Sequence, residues 1–311
     1  MTKIVCFGEV LWDMLPEGRK IGGAPLNVAL HLRNFGLESE IIGQVGDDEL
    51  GAEARTFLAE RGLNTQLITT SPELPTSTVE VCLSEGGIAA YEIIHPVAWD
   101  RMPLHANAIT AVETANALVF GSLAARDAVT RKSLFTYLEH ARYKVLDVNL
   151  RPPHYEPTTV LALLGEANLV KVNHEELVLI CSWLPGSPGG ARERLQFLAE
   201  KYQIDTLVLS RGNKGAYCYH KGAFIDQPAF MADVVDTIGS GDSFLAAFLA
   251  MRLGWQATVP DSLAYACATG AWVAEHAGAN PSYRPEDIEQ LMADQGWSQS
   301  PRPAKSLDHH S

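Results

Sequence analysis

The chain reads as an α/β protein with a mostly parallel central sheet, helices on both faces and a small β lid. Three observations predict this: six short apolar runs, helical patterns between most of them, and two strand-like insertions with no helix between their turns. The runs cover residues 3–7, 40–45, 117–121, 144–149, 169–173 and 206–210, and their apolar character is that of strands buried on both sides. Helical periodicity marks 25–35, 51–61, 125–142 and 191–202. Residues 215–226 differ, because two β-type runs flank Lys221-Gly222 and predict a hairpin at a sheet edge.

The insertions at 11–21 and 76–96 carry strand-like residues around turn signals, Pro16-Glu17-Gly18 and Gly86-Gly87. They are expected to pair into the lid, leaving 1–10, 22–75 and 97–297 as the α/β core. The polar, Pro-containing segment 298–311 is expected to be a disordered tail.

With 311 residues and 47% hydrophobic composition, the chain can bury a sizeable core. Its N-terminus lacks a basic region followed by an apolar one, and no apolar stretch is long enough to span a bilayer, so a soluble cytoplasmic protein is expected. Five scattered cysteines read as reduced, mostly buried thiols. The net charge of −13, without a Lys/Arg cluster, argues against a nucleic-acid partner. An acidic chain that bound a nucleotide would need local attraction from a metal ion, backbone N–H groups and a few placed cations.

The strongest local signal is Asp236-Thr237-Ile238-Gly239-Ser240-Gly241-Asp242-Ser243-Phe244, followed by the apolar helical run 245–253. Gly239 and Gly241 let the backbone turn and approach a ligand where a loop enters a helix, and such a helix end attracts phosphate. Asp242 falls in the first turn, where the helix dipole favours its ionised form beside the anion hole. That pairing suits phosphoryl transfer, which needs stabilised phosphoryl oxygens and a carboxylate to accept a proton. The other reading is that residues 240–242 merely cap a helix, as such residues often do. No G-x-x-x-x-G-K-[ST] occurs, and the third glycine of a dinucleotide fingerprint is missing.

A second segment, Gly22-Gly23-Ala24-Pro25-Leu26-Asn27-Val28-Ala29, precedes a helix, with Pro25 suited to its first turn. Asn27 is a candidate hydrogen-bonding partner for a sugar, or a solvated polar residue behind a turn. Asp13 is an acid among apolar neighbours near the end of the first strand, where α/β sheets bind ligands; a turn former is the other reading.

Together the two segments resemble the signatures of the ribokinase-like (PfkB) family of carbohydrate kinases. Gly22, Gly23, Pro25, Asn27, Ala29, Gly36 and Gly46 match the N-terminal signature, and Asp236, Thr237, Gly239, Ser240, Gly241, Asp242, Ala246 and Ala247 the C-terminal one. Ser240 replaces the commoner alanine. The resemblance spans residues 4 to about 291 and implies an ATP-dependent kinase acting on a small-molecule sugar. It makes Asp242 the catalytic base, Gly239, Ser240 and Gly241 the anion hole, and Asp13, Gly23 and Asn27 partners of sugar hydroxyls. Asn173 and Glu176 match an N-x-x-E element that orients Mg²⁺ and phosphate through water; otherwise they would read as a helix cap and a surface acid. Ser210-Arg211-Gly212-Asn213-Lys214-Gly215 resembles the nucleotide strand end T-x-G-x-x-G, with Ser210, Gly212 and Gly215 at the pattern positions. Residues 278–282, including Asn280, match a late loop beside the adenine pocket. In many relatives, carbonyls there and near Asp236 and Ile238 hold K⁺, which would place it among Asp236, Ile238, Gly278 and Ser282.

Within the family, Gly-Gly-Ala-Pro-x-Asn-Val-Ala and Asp147-Val148-Asn149-Leu150-Arg151-Pro152 look most like the fructokinase branch. Arg151 is a candidate phosphate or transition-state contact, or else a salt-bridged surface arginine. Residues 91–100 are expected to supply part of the lid and the sugar wall. A kinase for ribose, 2-keto-3-deoxygluconate or a purine riboside is the alternative, as is a silent sugar-binding regulator. The outer face of the lid could pair with a second copy to make a homodimer.

Overall fold

The computed structural model describes residues 2–15, 18–83 and 89–297, so part of each lid turn and the segment 298–311 lie outside the described residues. In chain order the strands are β1 (Lys3–Phe7), β2 (Leu11–Leu15), β3 (Gly18–Gly22), β4 (Glu38–Gly46), β5 (Ile68–Ser71), β6 (Ser77–Leu83), β7 (Ala89–Ile93), β8 (Ala117–Gly121), β9 (Lys144–Asp147), β10 (Leu169–Asn173), β11 (Thr206–Ser210), β12 (Ala216–His220) and β13 (Ala223–Gln227). The helices are α1 (Ala24–Asn34), α2 (Glu49–Glu60), α3 (Ala106–Thr114), α4 (Ala128–His140), α5 (Pro157–Glu166), α6 (His174–Ser182), α7 (Ala191–Tyr202), α8 (Ser240–Leu249), α9 (Val259–Ala274) and α10 (Pro285–Asp294).

Among the described residues the main sheet has nine strands in the order β13-β12-β11-β10-β9-β8-β1-β4-β5. It is parallel from β5 to β11, while β12 and β13 add antiparallel at one edge. Side-chain alternation sorts each strand between two cores. Ile4 and Cys6 of β1 face a core built with α1, α2, α8, α9 and α10, whereas Val5 and Phe7 face one built with α3 to α7. Both faces are therefore covered, as a parallel sheet requires.

The hairpin forms where expected, turning at Lys221 and Gly222 with φ of 47° and 87°. Strand β5, four residues long, lies outside the apolar runs. Strand β9 stops at Asp147, short of residue 149, because Asn149 turns into the left-handed region at φ 40°. Helix α4 begins three residues later than its periodicity suggests, since Asp127 Oδ1 accepts the Val129 N–H and caps it there. Helix α8 begins before its apolar run and ends in a π-helical turn over Ala250–Gly254.

The two insertions form a separate four-stranded sheet in the order β3-β2-β6-β7. Outer pairs are antiparallel and the central β2–β6 pair is parallel. Two clamps fix its connections to the core. Asp48 accepts from both the Thr76 N–H and its hydroxyl, at 2.7 and 2.6 Å, where the chain enters β6. Arg126 pairs with both oxygens of Asp100 and donates to the Ile94 carbonyl at 2.7 Å, where the chain leaves β7. Among the described residues no helix is long and apolar enough to cross a membrane.

Arg126 and Asp100 side chains are 4% and 0% exposed, so removing one partner strands a buried charge. Arg126→Met is expected to lose about 3–5 kcal/mol of unfolding free energy in a urea titration, and the double variant with Asp100→Asn to recover most of it.

Candidate active site

The candidate site lies beyond the carboxyl ends of β1, β9, β10 and β11. Strand order reverses at β1, with β4 and β5 on one side and β8 to β11 on the other, and ligands bind α/β sheets at such switch points. Helices α1 and α8 both point their N-termini toward this edge of the sheet.

Helix α8 starts from Gly239 at φ 76°. A β carbon there would sit 2.4 Å from the Ala279 carbonyl oxygen, so a side chain is excluded by contact as well as by conformation. No side chain caps α8, which leaves the amides of Gly241 and Asp242 open to a ligand. The Ser240 hydroxyl turns away and donates to the Gly270 carbonyl at 2.9 Å, fastening α8 to α9.

Asp242 stands in the same turn, and its Oδ2 accepts from Asn27 Nδ2 at 2.8 Å. Asn27 Oδ1 in turn accepts from Asn280 Nδ2 at 2.7 Å. Burial and the neighbouring Asp147 carboxylate push the Asp242 carboxyl up to about 6, against the lowering influence of Lys171, the Asn27 hydrogen bond and Arg151. At neutral pH it is an ionised but proton-hungry carboxylate, as a general base should be.

Gly23 is the N-cap of α1 at φ 118°, and a β carbon on it would clash at 2.2 Å with the Glu9 carbonyl oxygen. Glu9 is 2% exposed and accepts the Ala24 N–H through Oε1, which pins the start of α1 to the end of β1. Asp13 lies on β2 opposite Lys20, and its carboxylate reaches diagonally over the bare Gly22, whose absent β carbon would sit 2.6 Å from Asp13 Oδ2. Burial raises both Glu9 and Asp13, and the exposed Arg151 guanidinium pulls both down, so Arg151 lies near Glu9, Asp13 and Asp242 together.

At the carboxyl ends of β10 and β11 a cleft of about 600 Å³ is lined by Asn173, Ser210, Arg211, Gly212, Lys214 and Tyr217. It brings Asn173, at the end of β10, together with Ser210 and Gly212, at the end of β11 and just beyond it. Gly215, at φ 82°, lets its loop close on β13, since a β carbon would meet the Gln227 carbonyl oxygen at 2.0 Å. Asn280 sits apart from that cleft, against Asn27, and a neutral His31 holds its loop to α1, donating through Nε2–H to the Ala279 carbonyl and accepting from the Tyr283 hydroxyl at Nδ1. Burial drops that imidazole to about 4.

Asn173 and Glu176 form a reciprocal cap on α6: each side chain accepts the other's backbone N–H at 2.8 Å. Glu176 Oε1 also accepts the Leu150 N–H, so this acid is buried rather than on the surface. Each of its oxygens carries one hydrogen bond and keeps a lone pair for water. Among the described residues no group of three or more His, Cys, Asp or Glu side chains is placed to hold a metal ion. Asp236 accepts from the Ile238 and Gly278 amides at 3.0 and 2.9 Å, drawing together the two backbone segments whose carbonyls would hold K⁺.

Three contributors carry weak sequence signals. Glu9 is a lone acid at a strand exit. Lys171 is the single charge inside the apolar run Leu-Val-Lys-Val-Asn, and Asp147, at the end of β9, bonds it through both oxygens. The Asn27–Asn280 contact joins residues 253 positions apart, beyond the reach of local patterning.

The model of the pfkB family carbohydrate kinases matches residues 1–286. A fructokinase of Klebsiella pneumoniae is 30% identical over 276 residues, covering 84% of this chain and 87% of its own, and one of Escherichia coli is 29% identical over 262 residues, covering 80% and 83%. The fructokinase of Vibrio cholerae O395, solved with fructose, ADP and calcium ion, superposes with a TM-score of 0.80 at 25% identity over 94% of this chain and 99% of that one. A fructokinase of Xylella fastidiosa with bound ATP has the same fold, at a TM-score of 0.83 and 23% identity over 94% and 98%.

Gly239→Ala forces a side chain into the Ala279 backbone and should abolish turnover while lowering the melting temperature, read by activity assay and calorimetry. The folded protein binds the Asp242 proton more tightly than the unfolded chain does, so the charged form weakens folding above pH about 6. Asp242→Asn is therefore expected to be the more stable protein at pH 8, by on the order of 1 kcal/mol, with the advantage shrinking as pH falls through 6.

Proposed function

The chain belongs to the pfkB family of carbohydrate kinases, and from that premise we propose that its acceptor sugar is fructose, phosphorylated with Asp242 as the base. It is an ATP-dependent sugar kinase. Fructose is supported by the fructokinase relatives and by the Asp147-to-Pro152 motif, which lies beside the site. The observation that carries the assignment is Asp242 in the first turn of α8, next to open amides and hydrogen-bonded to Asn27.

In this reading Asn27 fixes the Asp242 carboxylate while Asp13, Gly23 and Asn27 seat the sugar. Asp242 accepts the hydroxyl proton as that oxygen bonds to the γ-phosphorus. The bond to the β-phosphate bridging oxygen breaks, and ADP leaves with the electron pair. At the Gly239-Ser240-Gly241 turn, the open amides of Gly241 and Asp242, together with the Arg151 guanidinium, meet the charge spreading over the phosphoryl oxygens, while the Ser240 N–H is held by the Thr237 carbonyl. Asp242 then returns its proton to solvent. The nucleotide lies along Asn173, Ser210, Gly212 and Gly215, with Asn280 acting through Asn27 rather than from the adenine pocket. Mg²⁺ would neutralise phosphate charge, with Asn173 and Glu176 ordering its water, and K⁺ would sit among Asp236, Ile238, Gly278 and Ser282. The small sheet would close over the sugar, and its outer face would pair a homodimer. The cytoplasm, where ATP is at hand, is the proposed compartment.

A coupled ADP-release assay over fructose, ribose, 2-keto-3-deoxygluconate and a purine riboside, each with and without K⁺, should give fructose the highest kcat/KM. A higher value for another acceptor would overturn fructose and leave the kinase standing. Asp242→Asn should lose about 10²–10⁴ in kcat with sugar binding retained, and kcat/KM of the unaltered enzyme should fall on the acid side of pH about 6.

A further inference from the structure

Lys171 on β10 lies directly opposite Asp147 on β9, and its ammonium donates to both carboxylate oxygens at 2.9 and 2.8 Å. The two side chains are only 10% and 4% exposed. A buried ion pair of this kind seldom adds net stability over apolar residues of the same size, so stability gives little reason for it here.

Its position offers another reason. Leu169 and Val145, two residues earlier on the same strands, pack in the core that α8 covers, and strand alternation puts Lys171 and Asp147 on that face too. Their charged ends reach the first turn of α8. A β carbon on Gly241 would lie 3.2 Å from Lys171 Nζ, so the bare backbone at 241 is what admits the ammonium beside the residue that follows it, Asp242.

The groups around Asp242 are Glu9 beyond β1, Asp147 at the end of β9, Arg151 in the next loop, Lys171 on β10 and the neutral donor Asn27 on α1, with Glu176 of α6 acting on Lys171. Take Lys171 away, and the carboxylates of Glu9, Asp147 and Asp242 are left, among these groups, with the exposed Arg151 alone. We propose that Lys171, held in place by Asp147, is a positioning residue that keeps Asp242 ionised and ready to take the sugar proton. The proposal rests on Asp242 being the base.

Asp147 and Lys171 act on Asp242 in opposite directions, which makes the test specific in sign. The readout is the acid limb of kcat/KM for sugar at saturating ATP, near pH 6 in the unaltered enzyme. Lys171→Met should move the limb up by about one pH unit or more, with activity recovering at alkaline pH. Asp147→Asn should move it down, and Lys171→Met/Asp147→Asn should bring it back to the starting value or below. The double variant leaves no unpaired partner buried, so it and Asp147→Asn keep the test decisive should Lys171→Met fail to fold. A limb unmoved in Asp147→Asn, or a double variant that keeps an upward shift, would overturn the proposal. If the unaltered enzyme shows no acid limb, or Asp242→Asn turns over normally, the base assignment itself falls, a failure distinguishable from the first.

Discussion

The site depends on two helix N-termini, those of α1 and α8, being held facing one another across the end of the sheet. The hydrogen bond from Asn27 to Asp242 spans that gap, and it is short only because each helix is anchored separately. Glu9 ties α1 to β1, while Ser240 ties α8 to α9 and the close approach of Gly239 to Ala279 sets where α8 begins. A shift of either anchor would change the reach of the carboxylate, and misplacement by about 1 Å can cost two orders of magnitude in rate.

The protein carries a net charge of −13, yet it must attract a polyanionic nucleotide. In the reading proposed above, the attraction comes from backbone amides at α8 and a few cations placed among acids. Lys171 is buried against a carboxylate partner, so its charge is local and oriented. Arg151 is left exposed at the mouth, where an incoming phosphate can reach it.

The parallel sheet and the small one were legible in the sequence because buried strands are short and apolar, and because the insertions lack helical spacing. Asp242 and the glycines at 239 and 241 were legible for a like reason: the residue types needed for a tight turn beside a helix are few. Exact ends were less so. Asp127 and Asn149 reset the boundaries of α4 and β9 through a capping bond and a backbone angle that periodicity does not register. Lys171 shows why the remainder was hidden. In a strand, one cation among apolar neighbours looks like an interruption until the next strand places Asp147 opposite it, and that adjacency belongs to the sheet. Apart from the resemblance, Glu176 reads as a surface acid for the same reason, its buried partners coming from the backbones of Leu150 and Asn173.

The small sheet is joined to the core at four crossings, two of which are locked by Asp48 with Thr76 and by Arg126 with Ile94. In the closure proposed above, the sheet would swing on those fixed pivots as one body. Little of the free energy of sugar binding would then go into ordering backbone, and more would remain for telling one hydroxyl pattern from another.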